Sequence, residues 1–102
     1  MQSKKLESKL KHISKNYLSI QKAFLTHTIS NNYLNLSNPF IQFCFDVENA
    51  FYSLTPPLMK IINNEFFFQN YSNWWKEIYS PKHFKILRKI AIYKFMEAYD
   101  EK

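Results

Sequence analysis

The clearest folding signal lies near the C-terminal end, where residues 80–99 read SPKHFKILRKIAIYKFMEAY. Ser80 followed by Pro81 is a strong helix start, because a serine side chain caps free amide groups and proline fits the first helical turn. Apolar residues then recur at spacings of 3, 4, 4 and 3, namely Phe84, Leu87, Ala91, Phe95 and Ala98. This period predicts one long helix from Pro81 to about Tyr99 with a single buried stripe.

Three further helix starts lie upstream of this stretch. Asn38-Pro39 begins a helix that we expect to end near Leu54. Thr55 precedes two prolines, which stop that helix and begin a third. Ser72 caps a short segment to about Tyr79. The apolar residues that give these three segments helical spacing are Phe40, Cys44, Val47, Phe51, Leu58, Ile61, Ile62, Phe66, Trp74, Trp75 and Ile78.

Residues 3–29 predict one long amphipathic helix. Its apolar residues follow spacings of 4, 3, 4, 3 and 4, a seam formed by Leu6, Leu10, Ile13, Tyr17, Ile20 and Phe24. Lysines occupy most of the other faces. The seam has two interpretations: it packs on the core of its own chain, or it is a self-association seam that forms a homodimer. The repeat is shorter than the three to four heptads that identify a coiled coil.

These elements predict an all-α fold, a small bundle of about five helices within a single domain over residues 1–102. The long amphipathic helix occupies 1–30, the second helix occupies 38–54, and a helix-turn-helix-like part occupies 55–102. An Asn- and Ser-rich stretch over 30–38 separates the first helix from the rest.

Composition excludes several classes of site. The chain has no glycine, so it has no glycine-rich phosphate loop. Its one cysteine, Cys44, excludes a multi-cysteine zinc site and predicts a buried small hydrophobe. No nucleophile, base or metal-ligand constellation is visible, so we expect no catalytic residue, no metal and no cofactor, and not an enzyme. No apolar run approaches a membrane span, so we expect a cytoplasmic protein with no membrane partner.

The basic residues concentrate in one region. The formal net charge is +6, and residues 76–94 carry six basic side chains against one acid, Glu77. That density suits a helix facing phosphates. Thirteen of the 14 basic residues are lysines, however, and Asn, Ile, Phe and Tyr are also abundant. All of these have A/T-rich codons, so the lysine excess has a compositional explanation as well as a functional one.

A short helix, a turn and a longer helix that is basic at its start form the helix-turn-helix layout. Residues 58–95 resemble the C-terminal helix-turn-helix of bacterial sigma factors and of ArpU-type phage transcriptional regulators. Tyr79 departs from the pattern, since a small residue is common there. The matching positions are Ser80 at the start of the recognition helix, Phe84 and Leu87 on its apolar positions, the small residue Ala91, and the pair Lys94-Phe95.

The resemblance implies a small transcription-related regulator that binds double-stranded DNA, with RNA polymerase or another protein as a further partner. The side chains that it places toward the DNA groove are Lys82, His83, Lys85, Arg88 and Lys89. Arg88 alone could fork onto a guanine, whereas lysines act as point charges.

Two alternatives to DNA binding stay open. One is a helical protein-interaction module built on the N-terminal seam and residues 66–68, without nucleic-acid binding. The other is RNA binding through the basic first helix. Trp74 and Trp75 have two interpretations as well, as stacking platforms for single strands or as core residues.

Overall fold

The computed structural model describes residues 2–25, 38–69 and 72–100. This part of the chain is a small all-α bundle, as predicted, and it contains no strand. Its four α-helices are α1 (Gln2–Leu25), α2 (Pro39–Tyr52), α3 (Pro56–Ile62) and α4 (Pro81–Asp100). A π-helical turn, Asn63–Phe67, continues α3 without a break. The Asn- and Ser-rich boundary at 30–37 and the end of the first predicted helix, 26–29, lie outside the described residues.

The capped helix starts predicted at Asn38 and Ser80 are confirmed. The Asn38 Oδ1 accepts a hydrogen bond from the backbone amide of Phe40 at 2.9 Å. The Ser80 Oγ accepts one from the amide of His83 at 3.2 Å. Both caps precede a proline, which fixes the backbone for the first turn. Thr55 occupies the same position before α3 but makes no side-chain cap hydrogen bond.

The helix expected over residues 72–79 is not formed, and the segment is a succession of turns instead. Its amide bonds include Lys76 to the Asn73 carbonyl and Ile78 to the Trp75 carbonyl, which are three-residue rather than four-residue steps. Tyr79 adds one four-residue step, to the Trp75 carbonyl. Aromatic contacts tie the segment to α4: Trp74 meets the Phe84 ring edge-on at 5.7 Å and Trp75 stacks on it at 4.4 Å.

Helix α4 is the central element, since it packs against α1, α2 and α3. The predicted stripe is confirmed: Phe84, Ala91 and Phe95 are buried, with Leu87 and Ala98 packed beside them. The core is completed by residues from every described helix, among them Leu10, Ile13, Val47, Ala50, Ile61, Ile62, Ile92 and Met96.

The structure also shows the burial of the three phenylalanines at 66–68 and of the single cysteine. Phe66 and Phe67 are buried, whereas Phe68 is 68% exposed. Cys44 is a buried free thiol, as the sequence predicts. Burial raises the pKa of the Cys44 thiol, which keeps the sulfur protonated and unreactive.

The two formed caps predict a measurable stability difference. We expect Asn38→Ala and Ser80→Ala each to lower the free energy of unfolding by about 1 kcal/mol, because each removes a partner of a helix-end amide. Thr55→Ala is the matched control and should cost clearly less, since no cap bond is lost. Urea unfolding followed by circular dichroism measures all three. Equal losses at the three positions would contradict the cap assignment.

Candidate nucleic-acid interface

The cations predicted for DNA contact divide into two groups in the structure. Lys82, His83, Lys85 and Lys89 are exposed on the N-terminal half of α4. The side chain of Arg88 is instead largely withdrawn from solvent, with 24% of its surface exposed. The lysines are therefore accessible to an external ligand, whereas Arg88 makes contacts within the chain.

Arg88 is held by two glutamates from distant parts of the chain. Its Nη1 and Nη2 donate to the two carboxylate oxygens of Glu7 at 2.9 and 3.2 Å, a bidentate pair. Its Nε donates to the Glu65 carboxylate at 2.7 Å. The guanidinium also lies over the Phe66 ring, 5.1 Å from the centroid. Such a pair is geometrically specific, so Arg88 cannot fork onto a base while these bonds persist.

The placement of Arg88 corrects the expectation that it faces a DNA groove, and the sequence contained the signal. On a helix, positions four, seven and eleven residues apart share a face. Arg88 stands four residues after Phe84 and seven before Phe95, so it lies on the buried stripe. Arg88 is the only arginine in the chain, and Glu7 is the only acid in the first 37 residues.

The ion pairs shift the pKa values of Glu7 and Arg88. The hydrogen bond from Arg88 lowers the pKa of Glu7, although partial burial opposes the shift. For Arg88, burial works against the charged form, but the hydrogen bonds to Glu7 and Glu65 outweigh it and raise its pKa. The second Glu65 oxygen accepts from the Trp74 indole at 2.8 Å. One connected network therefore joins α1, the π-helical turn, residues 72–78 and α4.

The N-terminal seam packs on the core of its own chain, the first of its two interpretations. Leu10 and Ile13 are buried, and Leu6 and Tyr17 pack against the same core. Ile20 is half-buried, and the side chain of Phe24 lies outside the described residues. Self-association through Leu10 and Ile13 would require this packing to open. Trp74 is likewise a buried core residue, and Trp75 is partly buried with one ring face stacked on Phe84.

Packing of α1 against α4 puts two sets of lysines near one ion pair. Lys4 and Lys11 lie three residues before and four after Glu7, so they share its side of α1. On α4, Lys85 lies three residues before Arg88, and Lys89 follows it directly. Because Glu7 and Arg88 are in direct contact, these four lysines lie within about one helical turn of the pair that joins the helices. We call Lys4, Lys11, Lys82, Lys85 and Lys89, all exposed, the basic face.

Charge is segregated between the elements. Helix α1 carries six lysines and one acid, and α4 carries five basic residues and two acids. Residues 38–69 between them carry one lysine and the three acids Asp46, Glu48 and Glu65. Positive charge is thus concentrated on α1 and α4, the first and the last of these helices along the chain. The α4 lysines were predicted from the sequence, but Lys4 and Lys11 were not, because only the tertiary contact between Glu7 and Arg88 relates their helix to α4.

Searches of protein-family models, of curated proteins and of solved structures returned no match to this chain. No helix within the described ranges combines the length and the apolar character needed to cross a membrane. Among the same residues, no three His, Cys, Asp or Glu side chains gather as a metal site would require.

The Arg88 network predicts a pH-dependent loss of stability on mutation. Arg88→Met should lower the free energy of unfolding by about 2–3 kcal/mol at pH 7, because Glu7 and Glu65 lose their half-buried partner. The pKa of Glu7 is lower in the folded than in the unfolded chain, so its share of stability is complete above its ordinary pKa of 4.5 and disappears as pH falls through the folded value. The difference between wild type and variant should therefore shrink below about pH 4.5.

Lys89→Met is the matched control for this measurement, because it removes one cation from the exposed side of the same helix. We expect it to change the free energy of unfolding by less than about 0.5 kcal/mol at either pH. Urea titrations of wild type and both variants at pH 7 and pH 3 give the change in the free energy of unfolding for each variant at each pH. If Arg88→Met were no more costly than Lys89→Met, the network would contribute nothing to stability.

Proposed function

We propose that this chain binds double-stranded DNA through the basic face shared by α1 and α4. The observation that supports the proposal is the contact between Glu7 and Arg88, which joins the two lysine-rich helices. Exposed lysines on both of these helices suit a polyanion whose charges repeat regularly along its length. The regulatory role in transcription that the sigma-factor resemblance implies would follow from such binding.

The chemistry of the basic face favours contact with phosphates over contact with base edges. Lysine ammonium groups neutralise phosphates as point charges, whereas base readout relies on planar, forked donors. The one forked donor, Arg88, is committed to Glu7 and Glu65. In addition, turns replace the first helix of the predicted helix-turn-helix pair. We therefore propose binding with weak sequence preference, in which two helices lie along the DNA backbone.

The salt dependence of binding tests this proposal. Fluorescence anisotropy with a mixed-sequence duplex should give a slope of log K against log salt of about −4.5, because five lysines each release close to one counterion. Lys85→Ala with Lys89→Ala should reduce the magnitude of the slope by about 2. Lys4→Ala with Lys11→Ala should reduce it equally, since the proposal assigns both helices to one surface.

The matched control removes two lysines outside the basic face, one on α4 and one on α3. Lys94 borders a groove that Leu54 and Leu58 also line, and Lys60 is exposed on α3. Lys60→Ala with Lys94→Ala changes the net charge by the same amount and should leave the slope unchanged. An equal effect of all three pairs would mean that binding follows net charge alone. Tighter binding of structured RNA than of duplex DNA in competition would favour the RNA alternative.

The second candidate function is a helical protein-interaction module. The surface that supports it lies on α4 and not on the N-terminal seam. Ile86, Ile90 and Tyr93 follow spacings of 4 and 3 on α4 and are 50%, 41% and 54% exposed. Three large apolar side chains in one row are unusual on a solvated helix face. If a second copy covers this row, light scattering at about 100 µM should show a dimer that Ile86→Lys with Ile90→Lys converts to a monomer. A monomeric wild-type chain would count against this function.

A further inference from the structure

A cleft of about 490 Å³ opens on the side of the molecule formed by α1, α2 and the π-helical turn. Five of its lining residues are aromatic and one is an acid: Tyr17, Phe51, Tyr52, Phe67, Phe68 and Glu48. We call it the aromatic cleft. Its volume lies within the range of sites that hold small molecules. None of the lysines of the basic face lines it.

The π-helical turn creates one wall of the aromatic cleft. The amide of Phe68 bonds to the carbonyl of Asn63 at 2.9 Å, a five-residue step that widens the turn. As a result Phe66 lies beneath Arg88, whereas Phe67 faces Tyr17 with ring centroids 5.7 Å apart. Turns of this kind are rare and frequently occur at functional sites.

The walls are largely fixed and the rim is open. Phe67 also packs edge-on against Phe51 at 6.4 Å, and Phe51 against Tyr52 at 5.2 Å. Tyr52 and Phe68 remain 71% and 68% exposed. A ligand could therefore enter between two accessible rings and meet rings that the core already holds in place. Little ordering would be needed on binding, which favours affinity.

A single carboxylate gives the aromatic cleft its charge. The Tyr17 hydroxyl donates to Glu48 Oε2 at 2.6 Å. Burial, and then this bond to Glu48, raises the pKa of Tyr17, so the phenol stays a neutral donor. Glu48 Oε1 has no hydrogen-bond partner among the described residues. Within the part of the chain that the structure describes, no cationic side chain lines the cleft, and acids outnumber basic residues over 38–69.

We propose that the aromatic cleft binds a compact organic cation of the quaternary ammonium type. Aromatic faces attract cations through the negative potential above the ring, and the attraction is strongest for cations that shed water easily. Alkylated ammonium groups meet that condition, whereas small metal ions do not. Glu48 supplies the opposite charge at one side of the ring walls. This site is separate from the basic face and does not depend on DNA binding.

Choline and its neutral isostere 3,3-dimethylbutan-1-ol are the probes that test the proposal. They share shape and hydroxyl group and differ in the charge at the branched centre. Titrations of the full chain followed by nuclear magnetic resonance should show shifts of the Phe51 and Phe67 ring protons with choline, up to about 50 mM. The neutral isostere should bind about tenfold more weakly, because it lacks the cation that the rings and Glu48 attract.

Three variants locate the site. Glu48→Gln keeps an acceptor for Tyr17 but removes the charge, and should weaken choline binding about fivefold without changing binding of the isostere. Tyr52→Ala and Phe68→Ala remove exposed rings, so the fold should persist while choline affinity falls. Tyr93→Ala is the matched control, since it removes an exposed ring from α4, outside the cleft.

Two outcomes would overturn the proposal. Equal affinity for choline and the isostere would show that the aromatic cleft is merely apolar. Choline shifts that are absent at Phe51 and Phe67, or that persist unchanged in Glu48→Gln, would show that no cation site exists there. Normal circular dichroism spectra of the variants would exclude misfolding as the cause of lost binding.

Discussion

The bidentate pair between Glu7 and Arg88, extended by Glu65, is the constraint on which the rest of the structure depends. It joins residues 81 positions apart and fixes α1 against α4. Breaking a half-buried pair leaves an uncompensated charge, so the pair specifies one arrangement of the helices even where its net contribution to stability is modest. Through Glu65 it also anchors the π-helical turn and Trp74. The basic face and the aromatic cleft both take their shape from this anchoring.

Around the π-helical turn, three consecutive phenylalanines lie in different surroundings. Phe66 supports the guanidinium, Phe67 joins the core and Phe68 stays at the rim of the aromatic cleft. A regular α-helix would place the same side chains one residue out of step with these neighbours. One turn therefore contributes to the surroundings of both candidate sites, although their charges are opposite and their proposed ligands are unrelated.

The sequence predicted those parts of the fold that local rules determine. The prolines after Asn38 and Ser80 marked helix starts, and the stripe of α4 followed from apolar spacing. Turns replace the helix predicted over residues 72–79, where two tryptophans pack around the Phe84 ring, so tertiary contacts prevail over local preference there. The prediction for Arg88 was wrong for a different reason: it rested on the charge of the side chain and not on its position beside the buried stripe. Neither the π-helical turn nor the contact between Glu7 and Arg88 had a local signal in the sequence.

The abundance of lysine has a compositional explanation, A/T-rich coding, and a functional one, contact with phosphates. A/T-rich coding accounts for the number of lysines, and exposure of each lysine is what any lysine prefers. Neither accounts for where the acids lie. Two acids, Glu7 and Glu65, are both paired with the only arginine, and Glu7 also pairs with Lys11. These ion pairs offset part of the negative charge that would oppose an approaching polyanion. An arginine on a buried stripe thus shapes the surface potential without reaching the surface itself.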